Sequence, residues 1–297
     1  MTRIMGTRWF RKLGLLLCAC IVGWGPVAFA QDRPEHQIMW MHPDFPPINI
    51  MEGPLAGQGV GDRVLTYFQR RLAQYDHKLL VGNFKRIIAT VSSGQQACGV
   101  ALLKNDQRAK TVLFSEPYML APHNEIIVMR SRLEEFEPYR DQNGAISLVE
   151  LLSSSGFVFG YSMGRSYSSD LDDVLKSHLS ETNAYGTYGH EIFAGLIQML
   201  DRRRFDYTIG YGYEARYLQK QLGLSDDIVS IPVREHAGYT KVYVGCPKTP
   251  WGERVIGDLN AIILKSRHRS ELYGVYKPWL DEQSWQRYVD ALPTLTE

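Results

Sequence analysis

The sequence predicts an α/β fold of two lobes, each a mainly parallel sheet flanked by helices. Short apolar runs of strand length alternate with amphipathic, helix-length stretches throughout, the pattern of parallel sheets covered on both faces. These runs are too many for one compact layer. Two loops suited to anions, around Arg108 and Arg165, fall in different halves of the chain, which places a cleft between two lobes.

Ile38-Met39-Trp40-Met41 reads as the first strand. His42-Pro43-Asp44-Phe45-Pro46-Pro47 breaks it, and the adjacent prolines fix φ and stiffen the loop that carries Phe45. Val64, Leu65, Phe68 and Leu72 recur at helical spacing, with Arg63, Gln69, Arg70 and Arg71 opposite. The glycines at 57, 59 and 61 have the wrong spacing for a dinucleotide fingerprint, and no strand leads directly into them. His77 to Val81 predicts a second strand and Phe84 to Val91 the next helix.

The segment Ser92 to Tyr118 organises the rest. A Ser-Gly turn leads into Val100 to Leu103, short enough for a buried strand, and this empties into the polar loop Lys104-Asn105-Asp106-Gln107-Arg108. Phe114-Ser115-Glu116-Pro117-Tyr118 stops any helix before the proline and continues extended. A cationic loop beyond the carboxyl end of a buried parallel strand is where open α/β sheets hold anionic ligands. Arg108 has the fork geometry to grip a carboxylate with two parallel hydrogen bonds.

Further on, Glu125 to Met129 is a strand and Arg130 to Asn143 a charged surface excursion. Ser147 caps a helix of Leu148 to Leu152. Phe157 to Tyr161 is a strand that runs through Ser162-Met163-Gly164-Arg165-Ser166-Tyr167-Ser168-Ser169 into a helix from Asp170 to His178. Strand, hydroxyl-rich glycine loop and helix start present free backbone N–H groups to an anion, and Arg165 adds charge. No Gly-Lys-Ser/Thr follows, so it is not a nucleotide P-loop. Tyr185 to Gly189 is a turn-rich approach to a helix from His190 to Leu200, whose end Arg202-Arg203-Arg204 complements as a solvated terminus. Phe205 to Ile209 is a strand, Tyr217 to Leu222 a helix, Ile228 to Ile231 a strand and Lys241 to Cys246 an extended run. Pro250 to Ser266 forms a helix with Val255, Leu259, Ile262 and Ile263 on one stripe, and Tyr273, Tyr276 and Trp279 follow as aromatic anchors.

The chain has 297 residues, 44% of them hydrophobic, enough for one or two domains with a sizeable core. Its net charge of +1 gives no footprint for nucleic acid. The first thirty residues read as a secretory signal peptide: Arg3, Arg8, Arg11 and Lys12, then apolar Leu13 to Val22, then Ala28-Phe29-Ala30 with cleavage after Ala30. Leu17-Cys18-Ala19-Cys20 also resembles a lipoprotein box, but the apolar residues after Cys20 favour simple cleavage. Of the 4 cysteines, Cys98 and Cys246 then remain, in a periplasmic compartment that permits disulfides; a bridge and two separate buried thiols both fit. No histidine, cysteine or carboxylate spacing reads as a metal site, and no cofactor is expected.

Several of these motifs together resemble type 2 periplasmic solute-binding proteins, most closely family 3, the polar amino acid binders of ABC importers. Phe45-Pro46-Pro47 is similar to that family's aromatic-Pro-Pro after the first strand, and Gly59-Val60-Gly61-Asp62 to its Gly-Phe-Asp helix start. Ser93-Gly94 through Arg108, with Phe114-Ser115-Glu116-Pro117-Tyr118, resembles its signature segment. Gly164-Arg165-Ser166-Tyr167 resembles the loop of the second lobe, Phe205-Asp206 the Gly-x-x-Asp strand, and Gly245-Cys246-Pro247-Lys248 the strand after the second crossover.

The resemblance implies a discontinuous first lobe of residues 31–120 and 239–297, a second lobe of 121–238, and two hinge strands. It implies a monomer that captures a small solute in the cleft for the membrane permease of an importer. Arg108 would pair with the ligand carboxylate, with Lys104 beside it. Phe45 and Phe84 would stack on the ligand body, and Arg165, Ser166 and Tyr211 would meet it from the second lobe. Cys98 and Cys246 would lie on neighbouring strands. Tyr211 stands where the family places an acid for the ligand ammonium group, so carboxylate capture is supported better than a standard amino acid. The resemblance also covers enzymes of dehydratase and lytic transglycosylase type, for which His42, Glu116, His190 and Glu191 are candidates without a catalytic motif; a ligand sensor for a membrane receptor is the third reading.

Overall fold

The computed structural model describes residues 36–154, 156–163, 167–180, 182–187, 192–224, 227–236, 238–266 and 270–296. The signal-peptide residues, Cys18, Cys20, Arg165, Ser166, His190 and Glu191 lie outside the described residues. In chain order the elements are β1 (Gln37–His42), α1 (Val60–Arg71), β2 (Asp76–Val81), α2 (Phe84–Ser92), β3 (Ala97–Leu103), α3 (Asp106–Ala109), β4 (Val112–Phe114), β5 (Met119–Pro122) and β6 (Asn124–Met129). They continue with α4 (Leu133–Phe136), α5 (Leu148–Ser153), β7 (Phe159–Ser162), α6 (Ser169–His178), β8 (Ala184–Thr187), α7 (Ile192–Asp201), β9 (Thr208–Tyr211), α8 (Gly212–Leu222) and β10 (Ile228–Pro232). The last are β11 (Tyr239–Pro247), α9 (Pro250–Ser266), α10 (Ser270–Tyr273), a 3-10 segment Gly274–Trp279, and α11 (Glu282–Ala291).

Two sheets result. The first has the order β2-β1-β3-β11-β4, with β5 also on β11. In it β1, β2 and β3 are parallel and β11 runs against β3, β4 and β5. The second has the order β10-β6-β9, and the bridge Phe159–Tyr207 brings the parallel pair β7-β8 alongside β9. Each lobe therefore has one reversed strand, β11 in the first and β6 in the second. Each is the strand that arrives directly from the other lobe. The remaining strands of each sheet run one way, as the alternation of strands and helices predicts.

Both sheets are covered on both faces. In the first lobe Trp40, Cys98 and Val244 pack with Phe68 of α1 and Leu259 of α9, and Met41 and Leu102 pack with Ile87 of α2. In the second, Ile126, Phe159 and Ile209 pack with Leu151 of α5 and Leu171 of α6, while Ile127 packs with Phe193 and Leu196 of α7 and Ala215 of α8. Phe136, within the stretch read as a surface excursion, is fully buried in this core. Strand β8, read as a turn-rich approach, is a sheet edge whose Tyr185 is exposed, so it has no apolar periodicity to announce it.

β3 contains a bulge that matters for the cleft. Gly99 pairs with Gly245 but Leu102 pairs with Tyr243, so β3 carries one extra residue there. Ala101 takes it up with φ of 58°, in the left-handed region. Cys98 and Val100 face one core, yet Leu102 faces the other, so the alternation inverts and Leu103 turns to the cleft. Cys98 on β3 and Cys246 on β11 are joined as a disulfide, with Cα atoms 4.4 Å apart.

Candidate solute-binding cleft

A cavity of about 310 Å³ opens where the two sheets meet. Its first-lobe wall starts at the Phe45-Pro46-Pro47-Ile48 loop. That loop is held by its own backbone bonds and by α1: Gly59 packs so closely that a Cβ would stand 2.5 Å from Ile48 O. The Asp62 carboxylate accepts from Gly59 N–H at 3.0 Å and from Ile50 N–H at 2.9 Å, which ties the helix start to the loop. Phe84, the first residue of α2, stands against Phe45 edge to face at 6.0 Å. Asn83 caps that helix by accepting from Arg86 N–H at 2.9 Å, which fixes where Phe84 leaves it. Leu103 completes the mouth. Phe84 and Leu103 remain 48% and 42% exposed, large apolar surface left open to water.

The second-lobe wall is also aromatic. Tyr211 ends β9, and its ring stacks on Tyr213 at 5.1 Å; Tyr213 in turn meets Tyr276 of the first lobe's core at 5.6 Å. Ser168 lines the cavity while its Oγ caps α6 by accepting from Leu171 N–H at 3.2 Å.

Polar groups gather on the crossovers. His123 and His236 stack with ring centres 4.3 Å apart. His123 Nδ1 lies 3.1 Å from the His236 carbonyl, which can only accept, so Nδ1 carries the proton and Nε2 accepts from the Thr240 hydroxyl at 2.8 Å. Burial holds this imidazole below its usual pKa and keeps it neutral. Asn124, buried between the crossovers, donates its amide N–H to the Tyr167 carbonyl, and its Oδ1 has no partner. Among the described wall residues none is Asp, Glu, Lys or Arg.

Of the residues expected from sequence, Phe45, Phe84 and Tyr211 come together on this wall. Lys104 and Arg108 do not. Lys104 Nζ lies 5.8 Å from the Tyr243 ring centre. Asn105 caps α3 by accepting from Arg108 N–H, and Arg108 Nη1 donates to Leu103 O at 2.7 Å, which ties the guanidinium back to the end of β3. Neither His42 nor Glu116 is a wall residue: His42 is buried with both ring nitrogens unpartnered, and Glu116 is exposed. Sequence reasoning missed Asn124, the histidine pair, Tyr213 and Tyr276. Tyr276 was read as an anchor, but nothing local tells a buried anchor from a wall.

A cleft between two α/β lobes, each with one reversed strand among the described residues, defines a class of bilobal scaffold. The fold is that of type 2 periplasmic binding proteins. An ancestral cationic amino acid solute-binding protein is similar over 83% of this chain and 96% of its own, with a TM-score of 0.60 at 16% identity. A polar amino acid ABC uptake transporter substrate-binding protein from Streptococcus thermophilus is similar over 89% and 92%, with a TM-score of 0.59 at 15% identity. Substrate-binding domain 2 of Lactococcus lactis GlnP, in its open conformation, is similar over 84% and 97%, with a TM-score of 0.58 at 14% identity. No protein-family model and no curated protein matches the sequence.

Proposed function

We propose that the chain is a periplasmic solute-binding protein that closes on a small carboxylate-bearing solute and presents it to the permease of an ABC importer. One observation carries this reading: the interlobe cavity is walled by Phe45, Phe84, Tyr211 and Tyr213, and Leu103, whose carbonyl accepts from Arg108, stands on the same wall. The aromatic walls take the body of the solute, and Arg108, released from Leu103 O, takes its carboxylate. By the family resemblance, Arg165 and Ser166 would add solute contacts. The basic start, the apolar Leu13 to Val22 and Ala28-Phe29-Ala30 support secretion by a leader cleaved after Ala30, and the family resemblance supports action as a monomer. A solute that binds only the native state raises its melting temperature. A thermal-shift screen of amino acids, small carboxylates and short peptides is expected to give saturable stabilisation by at least one carboxylate. No stabilisation by any of them at millimolar concentration, or turnover of the one that binds, would refute the proposal.

A further inference from the structure

The segment after α10 belongs to the first lobe by packing, yet it bonds to the second. Tyr276, Trp279 and Tyr288 are buried in the first lobe's core, and the Tyr288 hydroxyl donates to Leu120 O of β5 at 3.2 Å. From the same helix, Arg287 Nη2 donates to Glu125 Oε1 of β6 at 2.8 Å and to Ser230 O of β10 at 3.2 Å. Ser284 Oγ meets Ser230 Oγ at 3.0 Å. Upstream, Lys220 Nζ of α8 donates to Pro278 O at 2.7 Å, and Tyr217 packs on Trp279 at 5.8 Å.

The first of these arms lies behind the hinge. A second cavity, about 190 Å³, is bounded by Glu125, Asn143, Tyr239 and Arg287 and shares only Pro122, His123, Asn124 and His236 with the solute cavity. The crossovers thus form a partition with the solute cleft in front and the Arg287–Glu125 pair at the back. A rotation about that partition that closes the front must pull the back apart and shear the α8 arm. Glu125 is 9% exposed, so its pairing with Arg287 is not a solvated surface contact.

We propose that residues 274–291 are a latch between the lobes, which holds the cleft open until a ligand or another force releases it. Weakening it moves population toward the closed form in the absence of any ligand. The inference concerns lobe geometry alone and does not depend on which solute binds.

The test is a distance measurement. Nitroxide labels at Lys85→Cys on α2 and Asp173→Cys on α6 span the mouth; the full chain carries Cys18→Ser and Cys20→Ser so that these are the only free thiols beside the disulfide. Pulsed dipolar spectroscopy of the parent is expected to give one long distance. The pair Glu125→Gln with Arg287→Met, and separately Lys220→Met, should each add a shorter-distance population without solute. Lys220 is exposed, so its variant remains a valid test if the buried pair does not fold. Distributions that superimpose on the parent, or move only to longer distances, overturn the latch.

Discussion

Glu235 shows how a single carboxylate ties a crossover to a helix. It sits in the second connection between the lobes, accepts from Ser147 Oγ at 2.6 Å and from Leu148 N–H at 2.9 Å, and so joins Ser147 in capping α5. Burial opposes its charge, but the hydrogen bonds from Ser147, Leu148 and Val149 prevail and hold its pKa below the usual glutamate value. A carboxyl held low in the fold contributes stability that is present above its unfolded pKa and lost as pH falls through its folded one. Glu235→Ala is expected to cost about 1–2 kcal/mol at neutral pH, with a smaller loss in acid, which urea melts at pH 7 and pH 4 would measure. Part of the cavity wall is legible at this scale. Phe45, Phe84 and Tyr211 each stand beside a sequence marker: the proline pair, a helix start, a strand end. Asn124 has no such marker, because its role comes from lying between two crossovers that are distant in sequence.

At the scale of elements, the alternation of strands and helices located most of both sheets, since buried strands and amphipathic helices write their periods into the chain. The departures have definite causes. β8 is an edge strand with a mixed face. The bulge at Ala101 lies inside Val-Ala-Leu-Leu, which reads as a regular strand whichever way its side chains point. Next to that bulge the Cys98–Cys246 disulfide staples β3 to β11 across a sequence separation of 148. Closing so long a loop removes much of the unfolded chain's freedom, so Cys98→Ala with Cys246→Ala should cost about 5 kcal/mol by loop entropy. Denaturant midpoints of the bridged and double-alanine proteins would measure it. Equal midpoints would mean that the core carries the two strands alone.

For the molecule as a whole, the proposed function turns on Arg108. In this structure it bonds to Leu103 O and lies off the wall; in the proposed closed state it meets the carboxylate of the solute. Giving up the first bond costs about 1 kcal/mol, less than a charge-assisted pair in a closed cleft returns. Arg108→Ala is therefore expected to weaken a carboxylate found in the thermal-shift screen by about 2–5 kcal/mol in calorimetry, with the melting temperature of the solute-free protein nearly unchanged. Unaltered affinity would take Arg108 out of the site. The sequence pattern placed this arginine at a strand's end, but not its tether, because a guanidinium on a surface turn has many acceptors within reach.

β11 fills the gap between β3 and β4, and it is made from residues 239–247. As the chain emerges in order, the early half must therefore wait. β1 to β5 come first, and more than a hundred residues must follow before their missing middle strand exists. Until then β3 and β4 display unsatisfied edges, and Cys98 has no mate. The later-born lobe, whose strands β6 to β10 are contiguous in the chain, can assemble ahead of the earlier one. A chain halted before residue 239 thus lacks the strand that β3 and β4 share, and its Cys98 thiol stays unpaired.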